Sequence, residues 1–160
     1  MVIFGRRTSP PSLMTHIESL LEEYQRVRRV DINRDIFIYI LKLYPSLLVC
    51  MSDGKLDDEE WENVMKLARG LADEYATLIP GADKEKIAQN FRTEFRYLLE
   101  NVERWNKKFL NALKGHIENS RNDKEFILET MYLFANAAEG ISMEEQQAIN
   151  NLVDRLELEH

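Results

Sequence analysis

Cysteine is almost absent from this chain. Cys50 is the only one in 160 residues, so neither an intrachain disulfide nor a Cys-x-x-Cys pair can form. It lies in an apolar run, where a lone cysteine behaves as a small buried hydrophobe. Glycine and proline are also scarce, six and four respectively. That scarcity favours helices, and no stretch keeps the period-two alternation of a half-buried strand. The histidines, His16, His116 and His160, lie too far apart for metal-ligand spacing, which leaves zinc without a scaffold. G-x-S-x-G, Walker-type and G-x-G-x-x-G motifs are missing, and with them the commonest nucleophile and phosphate-loop signatures. The longest apolar stretch, Ile36 to Met51, is interrupted by Lys42 and Pro45 and is too short to span a bilayer. Arg6-Arg7 has no apolar segment behind it, so a secretory signal is not expected. These absences predict a cytoplasmic protein with no membrane span and no catalytic residues.

What is present is charge and helix-forming sequence. Apolar residues make up 44% and charged residues 31%, a composition that suits one soluble domain rich in Glu, Leu, Lys, Arg and Ala. The net charge of −7 argues against nucleic acid as a partner. The charge is uneven: residues 1–34 carry six Arg against four acids, a net of +2, which leaves −9 for the rest. The basic cluster Arg26, Arg28 and Arg29 is either an exposed helix end or a docking surface for an acidic protein partner.

Helical spacing predicts a first helix capped by Ser12, with Leu13, Ile17, Leu20, Leu21, Tyr24 and Val27 on one face. A second, apolar around most of its circumference, runs from about Arg34 to Ser52 and should kink or restart at Pro45. A third spans Asp58 to about Tyr75, with Trp61, Val64, Leu67, Ala68, Leu71 and Tyr75 buried. Ile79-Pro80-Gly81 is a break. Residues 84–114 read either as one long helix or, the favoured reading, as two divided by a bend near Asn101. Asn119–Asp123 reads as a polar turn before a helix from Lys124 to Ala138 that buries Phe126, Ile127, Met131, Leu133, Phe134 and Ala137. The last helix runs from Met143 to about Leu156. Trp105, Phe91 and Phe95 belong to the core, and Leu158-Glu159-His160 (residues 158–160) has the look of a tag remnant.

The chain is organised around Met51-Ser52-Asp53-Gly54-Lys55-Leu56-Asp57-Asp58-Glu59-Glu60-Trp61. Asp-Gly is a turn pair, and Asp57 with Glu60 three residues on is a capping box. The unit recurs. Asp53-Gly54 sets on Glu139-Gly140, Leu47-Leu48-Val49 on Leu133-Phe134-Ala135, and, with one residue deleted, Asp57 and Glu60 on Ser142 and Glu145. Two copies about 85 residues apart predict a duplicated three-helix unit with approximate two-fold symmetry.

These loops allow two readings. In one, glycine supplies the turn and the carboxylates cap the following helices and complement their dipoles. In the other, clustered carboxylates hold a divalent cation, Ca²⁺ or Mg²⁺. The first loop partly fits an EF-hand, with Gly54 at the sixth position, Asp57 at the ninth and Glu60 at the twelfth. Positions one and three fall on Val49 and Met51, which have no side-chain oxygen, so an EF-hand proper is not expected.

On these residues (Ser52-Asp53-Gly54-Lys55-Leu56-Asp57-Asp58-Glu59-Glu60 and the echo Ala137-Ala138-Glu139-Gly140-Ile141-Ser142-Met143-Glu144-Glu145) the chain resembles the TerB-like family. These are tellurite-resistance and stress-related proteins, and the domain also occurs at the N-terminus of some membrane-anchored J-domain co-chaperones. The resemblance covers roughly residues 35–157 and leaves residues 1–34 as an extension. It implies an all-α, duplicated bundle of about seven helices: two pseudo-symmetric three-helix units plus an extra N-terminal helix. It also implies neighbouring acidic loops and a metal set of Asp53, Asp57, Glu60, Glu139 and Glu145. The chain departs from the family at Glu139, at Ser142 and in its shortened second loop. A non-enzymatic stress-response or interaction module is expected, with a protein partner or a second copy as possible associations. The alternative is a protein-binding module without an ion site.

Overall fold

The structure, a computed structural model, describes residues 16–52, 54, 57–136 and 140–159. Seven helices and no strand occur among them: α1 (His16–Arg28), α2 (Arg34–Cys50), α3 (Asp58–Thr77), α4 (Lys84–Glu100), α5 (Val102–Ile117), α6 (Arg121–Ala135) and α7 (Met143–Leu156). The all-helical architecture expected from breaker scarcity and helical spacing is the observed one. None of the described helices is long and apolar enough to cross a membrane. Ser12 and Leu13 lie outside the described residues.

The apolar circumference of α2 makes it the central element. It buries twelve of its residues and packs on α6 above all, then on α4, α7, α5 and α1. It does not restart at Pro45: one helix runs from Arg34 to Cys50 with Pro45 inside it. A proline there forfeits one backbone hydrogen bond, and burial on nearly every side holds the helix together across the gap.

Tyr24, Phe37, Tyr44, Trp105 and Phe109 form the aromatic centre, with ring centroids 5.0–5.9 Å apart among the contacting pairs. Trp105, Phe91 and Phe95 are buried, as the stripe predicts. The bend at Asn101 is real. Its φ of −132° and ψ of 35° separate α4 from α5, and its side-chain amide donates to the Tyr97 carbonyl at 2.8 Å.

One boundary and one burial differ from the sequence reading. The segment read as a polar turn before Lys124 is helical from Arg121, because the Ser120 side chain accepts from Asp123 N at 3.2 Å and caps the helix early. Leu133, placed in the buried stripe, is 47% exposed. Its neighbours Phe134 and Met131 take the core positions, which turns it outward.

Contacts fix helix directions. Lys42 pairs with Asp123 at 2.7 Å near the start of α6, and Cys50 Sγ lies 4.0 Å from the Phe134 carbonyl oxygen near its end. Helices α2 and α6 therefore run the same way and finish side by side. The shift that sets Asp53-Gly54 on Glu139-Gly140 carries α2 onto α6, and carries α1 onto the start of α5 as well. Helices α1 and α5 pack antiparallel: Glu23 pairs with Lys108, and Tyr24 lies against Trp105. Beyond α7, Glu157 adopts φ 53° and pairs with Lys114 at 3.0 Å, and Leu158 is buried.

Candidate functional site

The parallel finish of α2 and α6 leads into turns that hold Gly54 and Gly140. At the first, Met51 N–H donates back to Leu47 and Leu48, and the Ser52 hydroxyl donates to the Val49 carbonyl at 2.6 Å. Gly54 then takes φ 121°, a conformation that side chains rarely adopt. At the second, Asn136 N–H donates to the Tyr132 carbonyl at 3.0 Å, and Gly140 takes φ 92°.

Both turns lead into complete capping boxes. Glu60 N–H donates to Asp57 Oδ1 at 2.7 Å, and the return bond from Asp57 N–H to Glu60 Oε1 is 3.4 Å. In the second box, Glu145 N–H donates to Ser142 Oγ at 3.0 Å and Ser142 N–H donates to Glu145 Oε1 at 2.9 Å. The first box is exposed at Asp57. In the second, Glu145 is only 8% exposed, and the neighbouring Gln146 amide donates to Tyr132 Oη at 3.1 Å. The two boxes share a pattern but differ in setting.

Of the expected metal set, Asp57 and Glu60 are brought together, and Glu145 sits in its own box with Ser142. Asp53 and Glu139 lie outside the described residues. Among the described residues no group of three or more His, Cys, Asp or Glu side chains is arranged to hold a metal ion. The donor chemistry at the first turn still suits a hard cation. The exposed Asp57 carboxylate offers two oxygens and about four acceptor sites, so one capping hydrogen bond does not exhaust it.

At the basic end of α1, Arg26 and Arg29 are exposed, whereas Arg28 is engaged within the fold. Arg28 is not a free docking cation. Its Nε and Nη2 donate to the two carboxylate oxygens of Glu94 at 2.8 Å each. Tyr24 Oη donates to Glu94 Oε1 at 2.6 Å, and the Arg28 guanidinium lies 4.1 Å from the centre of the Tyr97 ring. Tyr97 Oη in turn accepts from Trp105 Nε1 at 2.8 Å. Glu94 is 3% exposed. Burial, reinforced by the hydrogen bond and charge of Glu94, holds the Tyr24 hydroxyl protonated far above its usual range. No motif announced this network, since its partners are 66 and 70 residues apart. The one available signal was an acid, Glu94, beside a predicted apolar stripe.

A second polar cluster joins α2, α5 and α6. Desolvation raises the Asp123 carboxyl, but the Lys42 hydrogen bond and charge, with Ser120, outweigh it and hold Asp123 below its ordinary value. Burial, then the positive charges of Lys42 and Arg34, lowers His116 against a smaller opposing pull from Asp123. These groups bind helices to one another.

No protein-family model matches the chain, and no curated protein or solved structure does.

Proposed function

We propose that this protein is a non-catalytic interaction module of the TerB-like type, working through the end of the bundle where α2 and α6 finish. The observation that supports the reading is the 4.0 Å approach of Cys50 Sγ to the Phe134 carbonyl, which sets the ends of α2 and α6 side by side. In this reading the acids that follow the two helix ends converge, and a divalent cation relieves the repulsion between them. Asp53, Asp57 and Glu60 supply most of the donors, with Glu139 and Glu145 contributing from the second turn. Ca²⁺ or Mg²⁺ suits oxygen ligands of this kind. A role in stress response rests on the resemblance alone.

A double substitution, Asp57→Asn with Glu60→Gln, separates ion binding from capping. Asn is as good an N-cap as Asp, and Gln serves in a capping box as Glu does. Calorimetry and thermal melts with Ca²⁺ and Mg²⁺ should give binding heat and a raised melting temperature in the parent chain. At a hundred times Kd the stabilisation is about 2.7 kcal/mol. The variant should melt normally without ions and lose the response. Absence of heat and of any melting shift in the parent at millimolar ion rejects the cation.

The second reading makes both turns helix caps on a protein-binding module. It draws support from the four capping hydrogen bonds, which employ Asp57, Glu60, Ser142 and Glu145 without any ion. Under it, parent and variant respond alike to Ca²⁺ and Mg²⁺.

A further inference from the structure

Helices α3 and α4 run antiparallel and enclose a groove between them. At one end the Arg96 guanidinium lies 4.8 Å from the centre of the Trp61 ring, and at the other Arg69 pairs with Glu85. The cavity between has a volume of about 130 Å³. Lys66 and Arg69 line it from α3, and Gln89 and Arg92 line it from α4. We propose that this groove binds a small phosphate-type oxyanion: inorganic phosphate, or the phosphoryl group of a small monoester.

Size selects the ligand class first. One water needs about 10–15 Å³ on this measure, so the groove takes an oxyanion and several waters. Cofactor and drug-sized sites run to about 300–1,000 Å³, which excludes a ligand that must be wholly enclosed at that size. Charge selects it next. Of the two acids that line the groove, Glu85 is already paired with Arg69, which leaves Glu62 against the charges of Lys66 and Arg92 in the same lining. Lys66 and Arg92 have no ion-pair partner among the described residues. The groove therefore keeps an excess of positive charge in a chain whose net charge is −7. The donor set is also suitable. A guanidinium fork beside an ammonium point charge, with a neutral amide, offers more donors than the two oxygens of a carboxylate ligand would use, and suits the several acceptor oxygens of a phosphoryl group. Arg96, one turn beyond Arg92, is held on Trp61 and extends the positive field to the groove mouth.

The test is an amide-resonance titration of the whole chain with inorganic phosphate and, separately, glycerol phosphate, with sodium chloride at matched ionic strength as control. Saturable shifts at Lys66, Arg69, Gln89 and Arg92, with millimolar Kd, are expected. Arg92→Ala should weaken binding about tenfold or more, and Glu62→Gln should tighten it severalfold, because it removes the one acid that competes with the ligand. Both side chains are exposed, so neither substitution threatens the fold. Tighter binding of glycerol phosphate identifies a carried phosphoryl group as the ligand, and tighter binding of inorganic phosphate identifies the free ion. Shifts reproduced by chloride, shifts spread over the other basic residues, or Kd values indifferent to Arg92→Ala and Glu62→Gln would overturn the proposal.

Discussion

Glu94 and Glu60 are both carboxylates on helices, and they stand in opposite relations to the fold. Glu60 caps its own helix through a partner three residues away, at a turn whose Asp57 is open to water. Glu94 is buried and accepts from Tyr24 and Arg28, which belong to a helix far away in sequence. Glu145 lies between the two, with a local partner but in a buried place. The comparison separates acids that hold the structure together from acids that remain available for chemistry. A buried carboxylate with every neighbour committed is structural, whereas Asp57, exposed in a local cap, retains capacity for a ligand.

The comparison is broken most sharply at Glu94. Glu94→Ala strands the Arg28 guanidinium and the Tyr24 hydroxyl, and removal of one partner of a buried pair costs about 3–5 kcal/mol. Urea melts should show that loss, and a cycle with Arg28→Ala should show strong coupling. A cost near that of an exposed ion pair, about 0–1 kcal/mol, would show that Glu94 is not the anchor of α1.

Next come the two caps. Ser142→Ala should cost about 1 kcal/mol or more, because the box it completes is partly buried. Asp57→Ala should cost less, within the lower part of the range of about 0.5–2 kcal/mol for lost caps. Thermal melts of the two variants check the order, and the reverse order would dissolve the distinction between the turns.

A smaller effect concerns pH. The folded state lowers His116 from 6.5 and Asp123 from 3.8, so it favours the deprotonated form of each. Their contributions are present above those unfolded values and are lost as pH falls through the folded ones. Stability should therefore decline first below about pH 6.5, through His116, and again below about pH 4, through Asp123. His116→Gln should flatten the first decline in a denaturation series across pH and leave the second. An unchanged first decline would assign it to other groups.

The same contrast explains what was legible in the sequence. The capping boxes were readable because each is a four-residue pattern whose partners are set by helix geometry. The bend at Asn101 and the breaks around Gly54 and Gly81 were readable for a similar local reason. The parallel pairing of α2 with α6 and the Tyr24–Arg28–Glu94 network were not, since an i, i+4 pattern marks an apolar face without saying what covers it. Leu133 illustrates the limit: it fits the stripe, yet its neighbours fill the core and it faces outward. Arg28 illustrates the converse, a cation that counts as surface charge in a tally yet spends its charge on a buried partner.

The central claim is that the two acidic turns meet around a divalent cation at one end of the bundle. Substoichiometric Mn²⁺, a paramagnetic stand-in for Mg²⁺, tests it most directly through the amide resonances of Gly54 and Gly140. The account predicts that both broaden together at low Mn²⁺ and recover on addition of excess Mg²⁺. Broadening of neither, or of the many exposed acids at large with no preference for these two glycines, would contradict it.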